Sequence, residues 1–215
     1  MNHVRMSDNQ VRMGVDTMAK NVTLATTGAS GAMYAREMLR LLAADERVQR
    51  INFVASESSL RVMAEELELS GRTGLVEKLL DTPSDKVRSW SNDDISAGIA
   101  SGSYPSDGMI VLPCSMGTLG GIANGFAQKL IERAADVCLK ERRPLILCVR
   151  ETPFNLIHIR NMQHAAEAGA TIFPAIPTLY NKPLTIEEMV HQFCSRVLQH
   201  IGLPQPDAYR WRADI

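Results

Sequence analysis

The sequence has very little net charge and no long apolar stretch. Its 23 Lys and Arg residues nearly balance its 24 Asp and Glu residues, which leaves a formal net charge of -1 at pH 7. General nucleic-acid and membrane-surface binders carry a basic excess, and a membrane-spanning helix needs about 20 consecutive apolar residues. The sequence therefore predicts neither a nucleic-acid partner nor a membrane partner.

Motifs of metal and nucleotide chemistry are also missing. The sequence contains no HExxH, no clustered His and Cys ligands and no paired acidic motif, so we expect no metal site. The GxxxxGK[ST] loop of nucleotide hydrolases is absent. The GxGxxG dinucleotide fingerprint is incomplete, because only Gly28 and Gly31 follow the first predicted strand. A GxxG turn is a weak signal, and a plain strand–helix turn explains it equally well.

The four cysteines form no CxxC pair. Reduced thiols are the expected state of such residues in a cytoplasmic protein, and the cytoplasm is the compartment we expect. Cys114 borders a turn that begins with Ser115. A nucleophilic cysteine needs a nearby base, and no histidine is close to Cys114 in the sequence, so a structural role is favoured over a catalytic one.

The length and composition suit one domain with a sizeable core. The chain has 215 residues, of which 45% are hydrophobic. Residues 1–20 are polar and lack the apolar segment of a secretory signal, so we predict a flexible N-terminal leader there. Residues 21–212 are then expected to form the functional domain.

Short apolar runs alternate with stretches of helical periodicity. Runs typical of strands occupy residues 21–27, 51–55, 109–112, 144–149 and 171–173. This alternation predicts an α/β domain with a mostly parallel sheet. We interpret residues 70–106, which are rich in Gly, Ser and Asp, as the least regular part of the chain.

Three helices are expected in the second half of the chain. Residues 119–139 are predicted to form a helix that breaks near Gly125. A capping box opens a last long helix at 186–200. The helix predicted at 155–168 has an apolar side made of Leu156, Ile159, Met162 and Ala166.

Small and polar residues follow the predicted strands directly. Gly28, Ser56, Ser115 and Arg150 each come just after a strand, so all four should project to the carboxyl edge of the sheet, where ligands bind. The Ser115 turn opens a helix, and its first N–H groups lack partners and carry partial positive charge. Such a turn, with the added hydroxyl of Thr118, suits a phosphate.

Cations lie at the ends of the next predicted elements. Arg150 ends a buried strand and can pair with phosphate in a bidentate manner. Arg133 and Lys140 lie seven residues apart on one helical stripe and can face one site, and Arg196 supplies further charge. We therefore interpret this half of the chain as a site for phosphorylated small molecules.

Several segments together resemble the UbiX-type flavin prenyltransferases in order and spacing. They are residues 28–32 (GASGA), 112–119 (LPCSMGTL), 132–137 (ERAADV), 139–145 (LKERRPL), 150–153 (RETP) and 209–211 (YRW). The resemblance implies a single Rossmann-like or flavodoxin-like domain that binds FMN, with a mostly parallel sheet and helices on both faces. It also implies transfer of a dimethylallyl group from dimethylallyl monophosphate to N5 and C6 of reduced FMN. A pyrophosphate donor is left open.

The same resemblance implies roles for individual residues. FMN would be held by Gly28, Ala29, Ser30, Ser56, Ser115, Met116, Gly117, Thr118 and Arg150. The prenyl phosphate would be held by Arg133, Lys140, Tyr180, Arg196 and Trp211. The residues near the reacting atoms would be Ser30, Glu66, Lys140 and Glu151.

The resemblance further implies partners. Family members form large homo-oligomers, often dodecamers, with sites at subunit junctions, so neighbouring copies are expected to contribute residues. The product, prenylated FMN, would serve as cofactor for a UbiD-type decarboxylase.

Two alternatives remain open. Flavin-dependent cysteine decarboxylases carry a PASANT turn and a catalytic histidine after an early strand, whereas this chain has PCSMGT at 113–118 and no histidine at 56–69. A non-catalytic FMN-binding subunit would tolerate the loss of the residues that handle the donor. Those residues are all present in this chain: Lys140, Glu151, Tyr180 and Arg196.

Overall fold

The computed structural model describes residues 19–69 and 71–211, in which strands and helices alternate. The strands are β1 (Lys20–Thr26), β2 (Val48–Ala55), β3 (Val87–Ser91), β4 (Gly108–Cys114), β5 (Leu145–Val149) and β6 (Thr171–Ile172). The helices are α1 (Ala32–Ala44), α2 (Glu57–Leu67), α3 (Leu75–Leu80), α4 (Met116–Ala123), α5 (Leu130–Lys140), α6 (Leu156–Glu167) and α7 (Ile186–Gln199), and Gly98–Ala100 form a 3-10 turn. The predicted leader lies outside the described residues, apart from its last two, and residue 20 already belongs to β1.

The strands form one sheet in the order β3-β2-β1-β4-β5-β6, and every neighbouring pair is parallel. The prediction of a mostly parallel sheet is therefore confirmed. The direction of strand addition reverses between β1 and β4, which are paired from Val22↔Gly108 to Ala25↔Val111. In an open α/β sheet, a ligand crevice opens at this switch point, beyond the carboxyl ends of the strands.

Helices cover both faces of the sheet, as the resemblance implied. All residues of β4 and β5 are buried, which is typical of parallel strands covered on both sides. One face packs against α1, α3 and α7 through residues such as Met38, Leu79 and Phe193. The opposite face packs against α5 and the 3-10 turn through residues such as Ile131 and Ile99.

Two glycines allow the turn between β1 and α1 to pack tightly. A Cβ on Gly28 would stand 2.3 Å from the Cβ of Ser58, so only glycine lets this turn approach α2 so closely. Gly31 has a φ of +125°, a conformation that side chains rarely adopt. These residues therefore fix how α1 leaves the sheet edge.

The prediction of an irregular segment at residues 70–106 is wrong in part. This segment contains α3, β3 and the 3-10 turn. The strand β3 lies at the sheet edge and its residues are only partly covered, so its sequence has no apolar alternation. The helix α3 is six residues long, which is too short to show a helical period.

The two other helix predictions have different outcomes. The break near Gly125 is confirmed, because α4 ends at residue 123, α5 begins at residue 130, and Gly125 has a φ of +71°. The apolar side predicted for α6 packs on the core through Met162, whereas Leu156 and Ile159 are 58% and 50% exposed and Ala166 is also exposed. The residue that α6 buries in the core is Ala165.

Candidate active site

The turns that follow β1, β2, β4 and β5 lie side by side, and we call them the strand-edge turns. The N–H of Ser56 donates to the carbonyl oxygen of Thr26 at 3.1 Å. The N–H of Arg150 donates to the carbonyl oxygen of Cys114, also at 3.1 Å. The structure thus places Ser56 and Arg150 on strands that flank the β1–β4 switch point.

Thr27 joins the two central turns. Its buried hydroxyl donates to the carbonyl oxygen of Pro113 at 2.8 Å and accepts the N–H of Ser115 at 2.8 Å. Its own N–H also donates to the Pro113 carbonyl, at 3.2 Å. Thr27 is not among the site residues predicted from the sequence. The available signal was a hydroxyl at the end of an apolar strand, just before a glycine turn.

The carboxylate of Glu66, on α2, binds the N-terminus of α1. Its carboxylate accepts the N–H of Ala32 at 2.7 Å and the N–H of Gly31 at 2.9 Å. The helix N-terminus would otherwise attract an anion, and this intramolecular carboxylate already fills that position. A phosphate in this crevice would therefore bind at the starts of other helices.

Ser30 and Arg150 both stabilise the charge on the Glu66 carboxylate. Burial raises the pKa of Glu66, but a hydrogen bond from the Ser30 side chain and the two backbone N–H groups lower it by more. The charge of Arg150 lowers it further, so the net pKa of Glu66 lies below the ordinary value. Glu66 is thus ionised at neutral pH, with the Ser30 hydroxyl donating to it.

The starts of α2 and α4 remain open to an anion. Ser56 and Ser115 are the N-caps, and their hydroxyls accept the N–H groups of Ser59 at 3.1 Å and Thr118 at 3.4 Å. The preceding N–H groups of each helix have no partner within the helix. A Cβ on Gly117 would meet nothing within 4 Å, so there is open space in front of α4. These residues fit the phosphate and polar edge of a flavin mononucleotide.

A separate cavity of about 270 Å³ contains two of the predicted donor-binding residues. We call it the aromatic pocket, and its walls include Phe173, Tyr180, Arg196, His200 and Tyr209. Its first wall runs alongside β5, because the Phe173 N–H donates to the Leu147 carbonyl at 2.9 Å. Trp211 packs edge-on against Tyr180, with ring centroids 5.6 Å apart. The structure thus brings Tyr180, Arg196 and Trp211 together.

Other predicted residues lie elsewhere in this chain. The guanidinium of Arg133 donates to the carbonyl oxygen of Ala100 at 3.1 Å and to Asp136 at 2.7 Å. Lys140 ends α5 and pairs with Glu141. Because β5 begins shortly afterwards, Lys140 lies at the amino-terminal edge of the sheet, opposite the strand-edge turns. Lys140 is therefore not brought to Arg150 within one chain, whereas Arg133 is engaged by Ala100 and Asp136.

Glu151 and Cys114 differ in their access to solvent. Glu151 is exposed, and its Oε1 accepts the N–H of Thr152 at 2.9 Å. Cys114 is fully buried, and burial together with the charge of Glu132 raises the pKa of its thiol to about 12. A thiol with such a pKa is a poor nucleophile at neutral pH, which supports the structural role expected for Cys114.

The described residues hold neither a metal-binding cluster nor a membrane-spanning helix. Among residues 19–69 and 71–211, no group of three or more His, Cys, Asp or Glu side chains is arranged to hold a metal ion. In the same residues no helix has the length and apolar character required to cross a bilayer.

The fold and the strand-edge turns define a flavoprotein. The family model described as Flavoprotein matches residues 11–198. The flavin prenyltransferase UbiX of Salmonella typhimurium is 42% identical over 195 residues, which cover 90% of this chain and 98% of the relative. The chain therefore belongs to the UbiX family of flavin prenyltransferases.

Two solved structures share the fold at high similarity. AnUbiX (PadA1), solved in complex with FMN and dimethylallyl pyrophosphate, has a TM-score of 0.81 and 39% identity, with 90% of this chain and 98% of that chain covered. A dodecameric FMN-dependent UbiX-like decarboxylase from Escherichia coli O157:H7 has a TM-score of 0.80 and 39% identity, with 90% and 100% covered.

Proposed function

We propose that this chain is a flavin prenyltransferase that uses FMN. It transfers a dimethylallyl group from dimethylallyl monophosphate to N5 and C6 of reduced FMN and so makes prenylated FMN. The observation that carries this proposal is the convergence of the strand-edge turns at the switch point, where Glu66 binds the N–H groups at the start of α1 beside the open starts of α2 and α4. The complex of AnUbiX with FMN and a dimethylallyl donor supports it.

The strand-edge turns hold FMN in this proposal. Backbone N–H groups and hydroxyls at the starts of α2 and α4 bind the phosphate, and the Arg150 cation adds charge-assisted hydrogen bonds. The residues that we assign to FMN are Gly28, Ala29, Ser30, Ser56, Ser115, Met116, Gly117, Thr118 and Arg150. When bound in its reduced form, FMN supplies the two ring positions that accept the dimethylallyl group.

The aromatic pocket holds the dimethylallyl donor. Arg196 offers a cation for its phosphate, while Tyr180, against which Trp211 packs, provides an apolar wall that keeps water from the allylic group. Cations fixed around the leaving phosphate stabilise the charge that develops on it as the carbon–oxygen bond breaks. We assign Arg133 and Lys140 to this task from neighbouring copies of the chain, since they lie away from the strand-edge turns of their own chain.

Neighbouring copies are also supported by the surface of α6. Leu156, Ile157 and Ile159 are 58%, 66% and 50% exposed, and contiguous apolar surface of this kind marks protein–protein contacts. The similar E. coli protein is dodecameric. We propose that this chain likewise forms a large homo-oligomer, whose subunit junctions complete the donor site.

The proton released during transfer needs an acceptor, and the structure favours Glu151 over Glu66. Both N–H groups and the Ser30 hydroxyl stabilise the ionised form of Glu66, so Glu66 is a weak base that orients Ser30. Glu151 is exposed and accepts the backbone N–H of Thr152. We therefore assign proton removal to Glu151.

The proposal is tested by the mass of the flavin product. The purified protein, mixed anaerobically with reduced FMN and dimethylallyl monophosphate, should yield a flavin that is heavier by one dimethylallyl unit. A control reaction omits the donor. A parallel reaction with dimethylallyl pyrophosphate shows which of the two donors the enzyme uses. A protein that binds FMN but yields no heavier flavin with either donor would instead be a non-catalytic FMN-binding subunit. The cysteine decarboxylase alternative is disfavoured, because α2 contains no histidine.

We further propose a cytoplasmic enzyme that supplies a UbiD-type decarboxylase. All four cysteines are free and buried, which suits a reducing compartment. Prenylated FMN made by the chain should activate an added cofactor-free UbiD-type decarboxylase in a coupled assay. Failure of this activation, with prenylated FMN present, would contradict the delivery step alone.

A further inference from the structure

The last described residues fold back on α7, and we call residues 207–211 the C-terminal clasp. Gln192 holds the backbone of the clasp at two points. Its Nε2 donates to the carbonyl oxygen of Asp207 at 3.2 Å, and its Oε1 accepts the N–H of Tyr209 at 2.8 Å. The clasp then places Tyr209 against Tyr180, with ring centroids 5.3 Å apart. One wall of the aromatic pocket is thus supplied by the clasp.

A second attachment is made by His191, which lies between two carboxylates. Its Nδ1 is 2.7 Å from Glu37 Oε1 on α1, and its Nε2 is 2.8 Å from Asp207 Oδ2 on the clasp. A neutral imidazole has one N–H and one lone pair, whereas the imidazolium has two N–H donors. Ionised carboxylates only accept hydrogen bonds. Both hydrogen bonds to the carboxylates therefore form only when His191 is protonated.

We propose that His191 is a positioning residue that fastens the C-terminal clasp over the aromatic pocket and so sets the affinity for the prenyl donor. That the pocket binds the prenyl donor rests on the function proposed above, whereas the attachment of the clasp by His191 does not. The protonated ring links α1 to Asp207, and Asp207 is two residues from Tyr209. When this link is lost, Gln192 still holds the backbone of the clasp at Asp207 and Tyr209.

The link should weaken as the pH rises. Burial lowers the pKa of His191, but its hydrogen bonds to Glu37 and Asp207 raise it by more, so the net pKa is above the ordinary value. A raised pKa means that the stabilisation is fully present below the ordinary value of about 6.5 and is lost as the pH rises through the raised value. Tyr34 and Cys194 lie near Glu37, and burial raises the pKa of both. Neither group therefore titrates in the range of His191.

The first test needs no enzymatic activity. The chain has two tryptophans, so the Trp90→Phe variant leaves Trp211 in the clasp as the only fluorescent indole. We expect the Trp211 emission to change with pH, with a midpoint above about 6.5. His191→Gln should remove this transition, and Asp207→Asn, at an exposed position, should lower its midpoint. The matched control His164→Gln, on α6, should leave it unchanged. An identical transition in His191→Gln would overturn the proposal.

The second test separates binding of the donor from turnover. His191→Gln should raise the KM for dimethylallyl monophosphate about tenfold at neutral pH, the equivalent of one hydrogen bond to a charged group, with little change in kcat. At high pH, the wild-type KM should approach that of the variant. An unchanged KM in His191→Gln would contradict the proposal. If the wild-type protein makes no prenylated flavin at all, the proposed function fails, and the fluorescence titration still decides whether the clasp is fastened by His191.

Discussion

The strand-edge turns and the aromatic pocket are built in different ways. The turns are joined inside one chain by backbone hydrogen bonds and by the buried hydroxyl of Thr27. The aromatic pocket combines a loop, α7 and the C-terminal clasp, and its Tyr180 and Tyr209 are 54% and 43% exposed. The difference shows that the sheet itself preforms the turns that we propose for FMN, the flavin half of the site, whereas the pocket that we propose for the donor, the donor half, depends on segments that lie outside the sheet.

The largest expected effect concerns Glu151, which follows Arg150 just after the end of β5. The Glu151→Gln variant should keep its FMN and lose turnover by a factor of about 100 or more, the usual contribution of a general base. Turnover is measured from the mass-shifted flavin, and FMN content from its absorbance. Glu167→Gln, at an exposed position on α6, is the matched control. Full activity of Glu151→Gln would remove this residue from the mechanism.

The next effect should be confined to the flavin half. Arg150→Ala should weaken FMN binding about 100-fold, because it removes charge-assisted hydrogen bonds to the phosphate. A titration that follows the quenching of FMN fluorescence measures the Kd. Arg160→Ala, at an exposed position on α6, should bind FMN normally. Equal FMN affinity in both variants would show that Arg150 does not contact the phosphate.

Removal of the Thr27 hydroxyl should disturb the same half through the fold. Thr27→Val leaves the N–H of Ser115 without its partner, and an unsatisfied buried group lowers the free energy of unfolding by about 2 kcal/mol. Thr27→Ser keeps the hydroxyl and should stay close to wild type. Urea unfolding compares the three proteins. If Thr27→Val and Thr27→Ser were equally stable, the hydroxyl would not join the two turns.

The smallest effect should appear in the donor half alone. Tyr209→Ala removes the ring that packs on Tyr180 and should raise the KM for the donor about fivefold, the scale of one aromatic pair. Tyr209→Phe keeps the ring and should behave as wild type. The FMN Kd should be the same in all three proteins. A change in FMN affinity would show that the two halves of the site do not act independently.

The sequence predicted the parallel sheet well because its central strands are uniform apolar runs. It predicted the four strand-edge turns for the same reason, since each begins where an apolar run ends. It did not predict β3, because an edge strand needs no buried side chains on both faces. It misjudged the apolar side of α6, because exposed Leu156 and Ile159 have the same period as core residues.

The site was predicted less completely than the fold. Thr27 acts through contacts to Pro113 and Ser115, which are distant in sequence, so no local pattern announces its role. The helical stripe correctly placed Arg133 and Lys140 on one helix, but a periodicity does not say which edge of a sheet the helix end reaches. The contact of Glu66 with the N–H groups of Gly31 and Ala32 requires the packing of α2 beside the first turn, and a site role for Glu66 was implied only by the family resemblance.

The position of Lys140 has a consequence for mixed assemblies. If the Lys140 ammonium contacts the aromatic pocket of a neighbouring subunit, a chain that lacks Lys140 still has an intact pocket, which can be completed by the lysine of a neighbour. A chain that lacks Arg196 can lend its lysine in return. Two variants that are each inactive alone, Lys140→Ala and Arg196→Ala, should then recover part of their activity when unfolded together and reassembled as hybrids.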